Sequence, residues 1–424
     1  GDGGGESTEV RTGDSPGDLS GGRPGGRPGE STTAAVKRRP LTALWYAAGA
    51  VVFVSFGFTE MMGSDLWWHL AAGREMLEQG TIRLHDSWSY TAGGEVWRNH
   101  EWLADLIFHG WTVLFGTASL VYWKWGLLAL TFGLLQRALL RLGGSPAAAL
   151  WMAVAAAAIA APFLDIRPQL YSLLGFAVLL NLALLRRPRP WELLLLFLVW
   201  VNLHGGFLFG LMLLAILLFP WRGLTLQSVF HAAATWFACA AIVLINPDGI
   251  GTYAYPLEYA LNADSPFRGL GEWRPPFEAG GIRSPLYPAA LVAGALAVLL
   301  WLLPPVRRLV TLPPEVVATA LLTAAMSLTS RRFVILYAIA VALLLAPYAA
   351  ALLRQRLAAP LSILLLIAAV ALGVYRLAPY TLRAGPAFHY LTAAYSYPEA
   401  LVDFTELNDL AAPTFAYYNW GGYL

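Results

Sequence analysis

The sequence predicts an all-α membrane protein that crosses the bilayer many times. Hydrophobic residues make up 58% of the 424 residues, and charged residues make up only 13%. Apolar runs of roughly 18 residues or more recur along the sequence, which is the length that a helix needs to span hydrocarbon. The charged residues collect between these runs. About eleven transmembrane helices are therefore expected.

The N-terminal segment, residues 1–40, predicts a disordered cytoplasmic tail. It is rich in Gly, Pro and Ser with almost no large apolar side chains, so it cannot bury enough surface to offset the entropy of ordering. Lys37, Arg38 and Arg39 close the tail just before the first apolar run. Under the positive-inside rule they keep it in the cytoplasm. The first span, residues 41–58, therefore runs outward.

Residues 60–102 predict a large first outer loop, because their acids and histidines would be costly in hydrocarbon. Within this loop, Leu66, Leu70, Gly73 and Leu77 recur at helical spacing. They predict a helix over residues 65–79 that lies along the membrane surface, with Asp65 at its N-terminus. The next apolar piece, residues 103–115, is too short to span and predicts a surface or re-entrant helix.

The later spans are predicted at residues 120–140, 147–163, 168–185, 191–203, 206–221, 228–245, 286–303, 314–329, 333–350 and 360–377. This arrangement places the basic clusters at 186–189, 222, 307–308 and 354–356 on the cytoplasmic side, as the positive-inside rule asks. Residues 41–377 then form the transmembrane domain, and residues 378–424 begin a soluble outer-face segment. The single cysteine, Cys239, excludes a disulfide framework within this sequence.

The same arrangement leaves most of the polar motifs on the outer face. These motifs are DIRPQ with Asp165 and Arg167, NLHGG with His204, NPDG, GEWRPP with Glu272, and the pair Arg331 and Arg332. Because the outer loops of a helical membrane protein share one face, the side chains are expected to meet in one cavity beside the lipid.

The side chains on this face suggest phosphate chemistry. Asp65 and Asp165 offer oxygen ligands for a divalent cation such as magnesium or manganese, and Arg167, Arg331 and Arg332 offer donors suited to phosphate or pyrophosphate. A metal with arginines beside the membrane would suit a lipid-linked phosphate leaving group. A lone Asp or Arg at a membrane edge is more often a structural ion pair, so the argument depends on several lying together.

Histidines supply further candidates. His69 follows Asp65 by one helical turn, and is expected to be a hydrogen-bond partner of that carboxylate rather than a ligand or a proton carrier. His100 and Glu101 end the first loop, where a capping role and a binding role are equally expected. His204 precedes Gly205 and Gly206; a tight turn explains the glycines, but a histidine leaving an apolar span at this face is a binding candidate, as is Glu272.

A family resemblance follows from these features. The first loop opens with an acid, a surface helix follows it, many spans have short connections, and an outer segment begins after the last span. In these respects the sequence resembles the GT-C superfamily of membrane glycosyltransferases, which includes protein O-mannosyltransferases, aminoarabinose transferases and the catalytic subunit of oligosaccharyltransferase. It is most similar to a bacterial group of GT-C-like proteins in the motifs SDLWWHLAAGREMLEQG, DSWSYT, NHEWL, IRPQLYS, NLHGGF, NPDG, GEWRPP and YNWGGYL. The resemblance covers most of the sequence after Leu41.

The resemblance implies transfer of a sugar from a polyprenyl-phosphate carrier to an acceptor at the outer face of the bacterial inner membrane. Asp65 would then activate the acceptor as a general base or join a metal site, and Asp165 would be a further acid. Arg331 and Arg332 would neutralise the departing phosphate. One departure is that many superfamily members carry a second acid beside the first, whereas Ser64 and Leu66 flank Asp65. The bilayer and the lipid-linked donor are the implied partners.

Three other functions compete with this one. A transporter or flippase of lipid-linked glycans should show corresponding Gly- or Pro-broken spans in two halves, and the sequence has no internal repeat to match. A ligase or polymerase of lipid-linked glycans shares the substrate but is not organised around a first-loop acid. A non-catalytic assembly protein does not explain the bunched acids and arginines. Nucleic acid is not an expected partner, since the net charge is only +2 and the basic residues are dispersed.

Overall fold

The structure, a computed structural model, describes residues 28–58, 65–261, 269–353, 358–381, 397–410, 414–417 and 420–423. The polypeptide divides into two units at Thr42. All the packing considered below lies within the second unit, Ala43–Leu424. Throughout the described residues the secondary structure is helical apart from one small hairpin.

The helices are α1 (Pro28–Ser55), α2 (Asp65–Gln79), α3 (Trp102–Phe115), α4 (Leu120–Arg141), α5 (Pro146–Ala160), α6 (Gln169–Leu179), α7 (Pro190–Leu203), α8 (Phe207–Leu218), α9 (Leu226–Ile242), α10 (Gly251–Leu261), α11 (Leu286–Trp301), α12 (Pro304–Leu309), α13 (Pro314–Thr329), α14 (Val334–Leu353), α15 (Ala358–Thr381) and α16 (Glu399–Leu407). A π-helical turn, Leu180–Leu184, extends α6. Strands β1 (Leu84–His85) and β2 (Val96–Trp97) pair antiparallel, with Leu84 opposite Trp97.

The predicted all-α membrane class is confirmed. Among the described residues, five helical segments are long and apolar enough to cross a membrane: 117–141, 146–163, 226–245, 331–353 and 360–379. The other predicted spans are apolar helices of 10–17 residues. Their shorter length means that helix length alone gives five crossings rather than eleven.

The predictions for the N-terminal half can be compared directly with these bounds. The surface helix expected at residues 65–79 is α2, and the short apolar piece is α3. Of the predicted disordered tail, residues 1–27 lie outside the described residues, whereas residues 28–40 belong to α1. The basic pair Arg354 and Arg356 also lies outside the described residues.

Helix α14 forms the centre of the bundle. Its sequence is apolar on every face, which is the pattern of a helix enclosed by others. It packs against α5, α11 and α13, and α5 is rich in alanine, which lets helix backbones approach closely in a membrane. The hydroxyls of Tyr337 and Tyr348 donate to the α11 carbonyls of Ala290 and Ala297 at 3.1 and 2.5 Å. By contrast, α9 and α15 are mostly exposed along their apolar lengths.

The first outer loop is a small folded unit. Ala72, Met76 and Leu84 form its own hydrophobic core, and the rings of Trp68, Trp88 and Trp97 contact one another above it. Helix α2 lies directly on α3, and a side chain at Gly73 would collide with the backbone carbonyl of Asp105. This close contact fixes the first turns of α2 against α3, where the candidate residues lie.

Candidate functional site

Three segments far apart in the sequence meet at Arg167. Its Nη2 lies 2.6 Å from Oδ2 of Asp65, the first residue of α2, and its Nη1 donates to Oε2 of Glu272 at 2.9 Å. Arg167 precedes α6, and Glu272 belongs to a short 3-10 turn before α11. A planar guanidinium has separate donors for two carboxylates. Arg167 therefore joins the start of α2 to the turn before α11.

The same contacts continue to Arg332. Oε1 of Glu272 lies 3.2 Å from Nη2 of Arg332, whose guanidinium lies over the Trp273 ring at 4.7 Å. We refer to Asp65, Arg167, Glu272 and Arg332 as the arginine network. Burial alone would lower the pKa of Arg167, but Asp65 and Glu272, with Asp165, raise that pKa above its usual value. Negative and positive side chains therefore alternate along the network, from Asp65 to Arg167, Glu272 and Arg332.

The neighbouring arginines 331 and 332 have different environments. Arg331 is buried, and its guanidinium donates from Nε to the carbonyl of Pro275 at 3.2 Å and from Nη2 to that of Ala279 at 3.5 Å. Its backbone N–H donates to the carbonyl of Arg274 at 3.1 Å. Arg331 thus holds the loop after Glu272, whereas Arg332 joins the arginine network.

Asp165 lies behind the network. Burial raises the pKa of Asp165 above its usual value and Asp65 adds to this effect, while Lys124 and Arg167 act in the opposite direction. Asp165 and Asp65 are thus close enough to interact. Within the described residues, however, no group of three or more His, Cys, Asp or Glu side chains is placed to hold a metal ion. The metal role of Asp65 and Asp165 stays a prediction, and Asp65 contacts the Arg167 guanidinium.

His69 bonds to Asp105 rather than to Asp65, which was its expected partner. Its Nδ1 lies 2.6 Å from Oδ1 of Asp105, and the other carboxylate oxygen accepts from Nδ2 of Asn99 at 2.7 Å. The cause is the close contact of α2 with α3, which brings the buried Asp105 beneath His69. Burial alone would lower the pKa of His69, but Asp105, with Glu101 and Asp65, raises the pKa to about 9. His69 is therefore a cation at neutral pH.

His204 is held in the opposite protonation state. Its Nδ1 accepts the backbone N–H of Gly206 at 2.9 Å and lies 2.6 Å from Oγ of Ser172, which accepts from Nε1 of Trp200 at 2.7 Å. A backbone N–H can only donate, so Nδ1 is the acceptor and the proton of the neutral ring lies on Nε2. Burial lowers the pKa of His204 well below its usual value, and the positive charge of Arg332 lowers that pKa further.

Glu101 lies among three histidines. Its Oε1 is 3.4 Å from Nε2 of His204 and 3.6 Å from Nε2 of His100, and its Oε2 is 3.8 Å from Nε2 of His69. We refer to Glu101, these histidines and Asp105 as the histidine cluster. These separations exceed an ordinary hydrogen bond, and no described residue donates a hydrogen bond to the Glu101 carboxylate. The carboxylate therefore keeps acceptor capacity that these residues do not use.

A buried bridge of asparagines sets the position of this cluster. Nε1 of Trp102, next to Glu101, donates to Oδ1 of Asn202 at 2.9 Å, and Nδ2 of Asn246 donates to the same oxygen at 3.1 Å. The motifs NHEWL, NLHGG and NPDG are thereby tied together. Asn202 is two residues before His204, so the bridge fixes the distance between Glu101 and His204.

An apolar cleft begins at this polar face. Its empty volume, with the open mouth included, is about 490 Å³. Its lining comprises Gln169, Ser172, Leu173, Phe176, Trp200, His204, Gly206, Phe209, Trp273, Arg332, Phe333, Ile335 and Leu336. The Trp200 ring that forms one wall is inserted between α6 and α8. An added Cβ at Gly175 or Gly210 would lie 2.7 or 2.6 Å from this ring. The cleft is therefore apolar along its walls, with Arg332 and His204 as its charged and polar end.

The structure brings most of the predicted residues together. Asp65, Arg167, Glu272 and Arg332 form one network; His69, His100, Glu101 and His204 form the adjoining cluster; Arg331 lies outside both. The sequence reading did not single out Asp105, Asn99 or Ser172 as site residues. An acid in a short apolar helix, one turn after Glu101, is a signal that could have identified Asp105.

Comparison with known proteins adds no assignment: no family model matches the sequence, and no curated protein is significantly similar to it. The function of this protein is therefore inferred from its motifs and from the geometry of the site.

Proposed function

We propose that this protein is a membrane glycosyltransferase that moves a sugar from a polyprenyl-phosphate donor to an acceptor at the outer face of the bacterial inner membrane. The observation that carries the proposal is the apolar cleft with Arg332 and His204 at its polar end. A lipid phosphate has the matching chemistry, since an anionic headgroup is joined to an apolar chain.

Arg332 is the group that would bind the phosphate. Among the described residues, Nη2 is the one guanidinium nitrogen of Arg332 with a carboxylate partner, Glu272; Trp273 supports the guanidinium face, and the side chain keeps 29% exposure. Arginine binds phosphate oxygens through paired N–H donors. Arg167 has both ends occupied by carboxylates, and Arg331 is committed to backbone carbonyls. Arg332 thus has the most free donor capacity of these three arginines.

The walls of the cleft suit the first isoprene units of the carrier. Phe176, Phe209, Phe333 and Leu336 contribute apolar surface from α6, α8, the turn before α14, and α14 itself. Burial of an apolar chain here would be favoured at roughly 25 cal/mol per Å² of surface removed from water. The bond to the sugar would then lie at the polar end, near Glu101 and Asp65.

The proposal includes about eleven crossings, with the N-terminus in the cytoplasm. Short helices such as α8 are tolerated at membrane depth where they line a cavity rather than face lipid, and α8 contributes Phe209 to the cleft. Each outer-loop motif then faces the same side. Asp65, the acid that the GT-C resemblance assigns to the acceptor, would act beside the bound donor and keep Arg167 in place.

The test is sugar transfer by purified protein in nanodiscs. Radiolabelled polyprenyl-phosphate mannose, glucose or galactose is supplied, and label released from the lipid to an acceptor or to water is counted. Arg332→Ala should lower the rate at least about 100-fold, the usual effect of removing one donor to developing charge. Asp65→Asn should abolish transfer while the protein remains folded.

The matched control is Arg98→Ala, which removes an exposed arginine of the first loop and should leave the rate unchanged. Lipid translocation by the wild-type protein without any release of sugar would contradict the proposal and favour a flippase.

A further inference from the structure

We propose that Glu101 is the proton acceptor for the attacking acceptor hydroxyl, and that Asp105 and His69 are positioning residues for it. This inference rests on the proposed glycosyl transfer and deepens it, because the GT-C resemblance assigns proton removal to Asp65. The geometry of the two carboxylates favours Glu101.

Asp65 is already engaged. Its Oδ2 lies 2.6 Å from a guanidinium nitrogen that shares its charge with Glu272 as well. A proton placed on Asp65 would break this ion pair and leave Arg167 with one partner. Asp65 is therefore suited to holding Arg167 in place rather than to taking up a proton.

Glu101 has no Arg or Lys partner among the described residues. Three imidazole Nε2 atoms lie 3.4–3.8 Å from its oxygens, beyond ordinary hydrogen-bond length, so these oxygens keep lone pairs that can accept a proton or a hydrogen bond. Its side chain is 16% exposed, so it is sheltered but reachable. The histidines therefore surround the Glu101 carboxylate without forming short hydrogen bonds to it.

The two flanking histidines are fixed in different ways. The Asp105 carboxylate holds Nδ1 of His69, and with it directs Nε2 toward Oε2 of Glu101. Gly206 and Ser172 hold Nδ1 of His204, and so direct its Nε2–H toward Oε1. Because His204 also lines the cleft beside Arg332, Glu101 is one imidazole away from the phosphate end of the donor.

In the transfer step, the acceptor oxygen forms a bond to the anomeric carbon of the sugar, and the bond from that carbon to the phosphate oxygen breaks. The electron pair of the broken bond stays on the phosphate, beside Arg332. The proton of the acceptor hydroxyl passes to Glu101 and then to water through His100, the most exposed of the three histidines at 39%.

The experiment compares Glu101→Gln with Asp65→Asn in the nanodisc assay, with Glu95→Gln as the control because Glu95 is an exposed acid of the same loop. Two quantities are measured: the rate of sugar release, and the affinity for unglycosylated polyprenyl phosphate from quenching of tryptophan fluorescence. Glu101→Gln should lower the rate about 100-fold or more without weakening lipid binding. Glu101→Asp should recover part of the rate.

Asp65→Asn should weaken lipid binding as well as abolish transfer, because it disturbs the network that holds Arg332.

The pH dependence of the rate distinguishes a role of Glu101 in proton transfer from a structural role. The charged and titratable groups that face Glu101 are His69 from α2, the adjacent His100, His204 from the α7–α8 turn, Asp105 behind His69, and Arg332 beside His204. If Glu101 is the proton acceptor, the pH dependence of the rate should change in Glu101→Gln and should stay as in the wild type in Glu95→Gln.

Each outcome is decisive. If the wild-type protein releases sugar and Glu101→Gln does so at a similar rate, the inference is overturned while the glycosyltransferase proposal stands. If Glu101→Gln loses lipid binding together with transfer, Glu101 is structural and the inference is again overturned. If the wild-type protein binds polyprenyl phosphate but releases no sugar, the proposed function itself fails and the inference fails with it.

Discussion

The arginine network and the histidine cluster adjoin one another, and both surround carboxylates with positive or proton-donating groups. In the network, Asp65 and Glu272 contact guanidinium groups at 2.6–3.2 Å. In the cluster, Glu101 faces imidazoles at 3.4–3.8 Å, and only Asp105 forms a short contact. A guanidinium is always charged, whereas an imidazole can hold or release a proton, and the surroundings favour the charged form of His69 and the neutral form of His204. One region is therefore suited to permanent attraction and the other to proton transfer.

The difference predicts unequal responses to mutation, and the largest is expected in the network. Arg167→Ala leaves the facing carboxylates of Asp65 and Glu272 without their shared cation. Loss of one partner from a buried ion pair costs about 3–5 kcal/mol, and the exposure of Asp65 (47%) and Glu272 (31%) places the expected cost at the lower end of that range. We expect the melting temperature in detergent to fall accordingly, at any pH from about 6 to 9. An unchanged melting temperature would show that the network contributes binding chemistry only.

The cluster should give a smaller effect that depends on pH. The pKa of His69 is raised to about 9 in the folded protein, from about 6.5 when unfolded. Its contribution of about 3 kcal/mol is therefore complete below pH 6.5 and is lost as the pH rises through about 9. Asp105→Asn removes the main partner, so it should destabilise the protein at pH 6 and have little further effect above pH 9.5. Equal destabilisation at both values would contradict a charged His69.

The smallest loss of stability is expected at the asparagine bridge. Asn202→Ala removes the oxygen shared by Trp102 and Asn246, and leaving these donors unpaired costs about 1–3 kcal/mol. Because the bridge spaces Glu101 from His204, sugar release should fall more than lipid binding. Asn99→Ala, which touches Asp105 at the far side of the cluster, is the comparison variant. A larger loss of lipid binding than of sugar release in Asn202→Ala would assign the bridge to the arginine network instead.

The sequence predicts the class of the fold and the face that carries the site, for a clear physical reason. Long apolar segments must be helices in a membrane, and their connecting loops share two faces. The sequence therefore places Asp65, Arg167, Glu272 and Arg332 on one face. The number of crossings is less predictable, because apolar helices of 10–17 residues have the composition of spans without the length.

The partners within the site could not be read from the sequence. Arg331 and Arg332 are adjacent and identical in type, and only the path of the loop after Glu272 decides which one faces the cleft. Likewise, helical spacing puts His69 beneath Asp65, but the close contact at Gly73 gives it Asp105 instead. Such choices depend on tertiary packing, which local patterns do not encode.

The wedge of Trp200 between two glycines has a consequence for selectivity. A methyl group at position 175 or 210 would displace the indole of Trp200. The two glycines therefore determine where this wall of the cleft lies. If the cleft holds the methyl-branched chain of a polyprenyl phosphate, as proposed, the position of the Trp200 ring sets the width open to that chain, and Gly175→Ala or Gly210→Ala would change which chains fit.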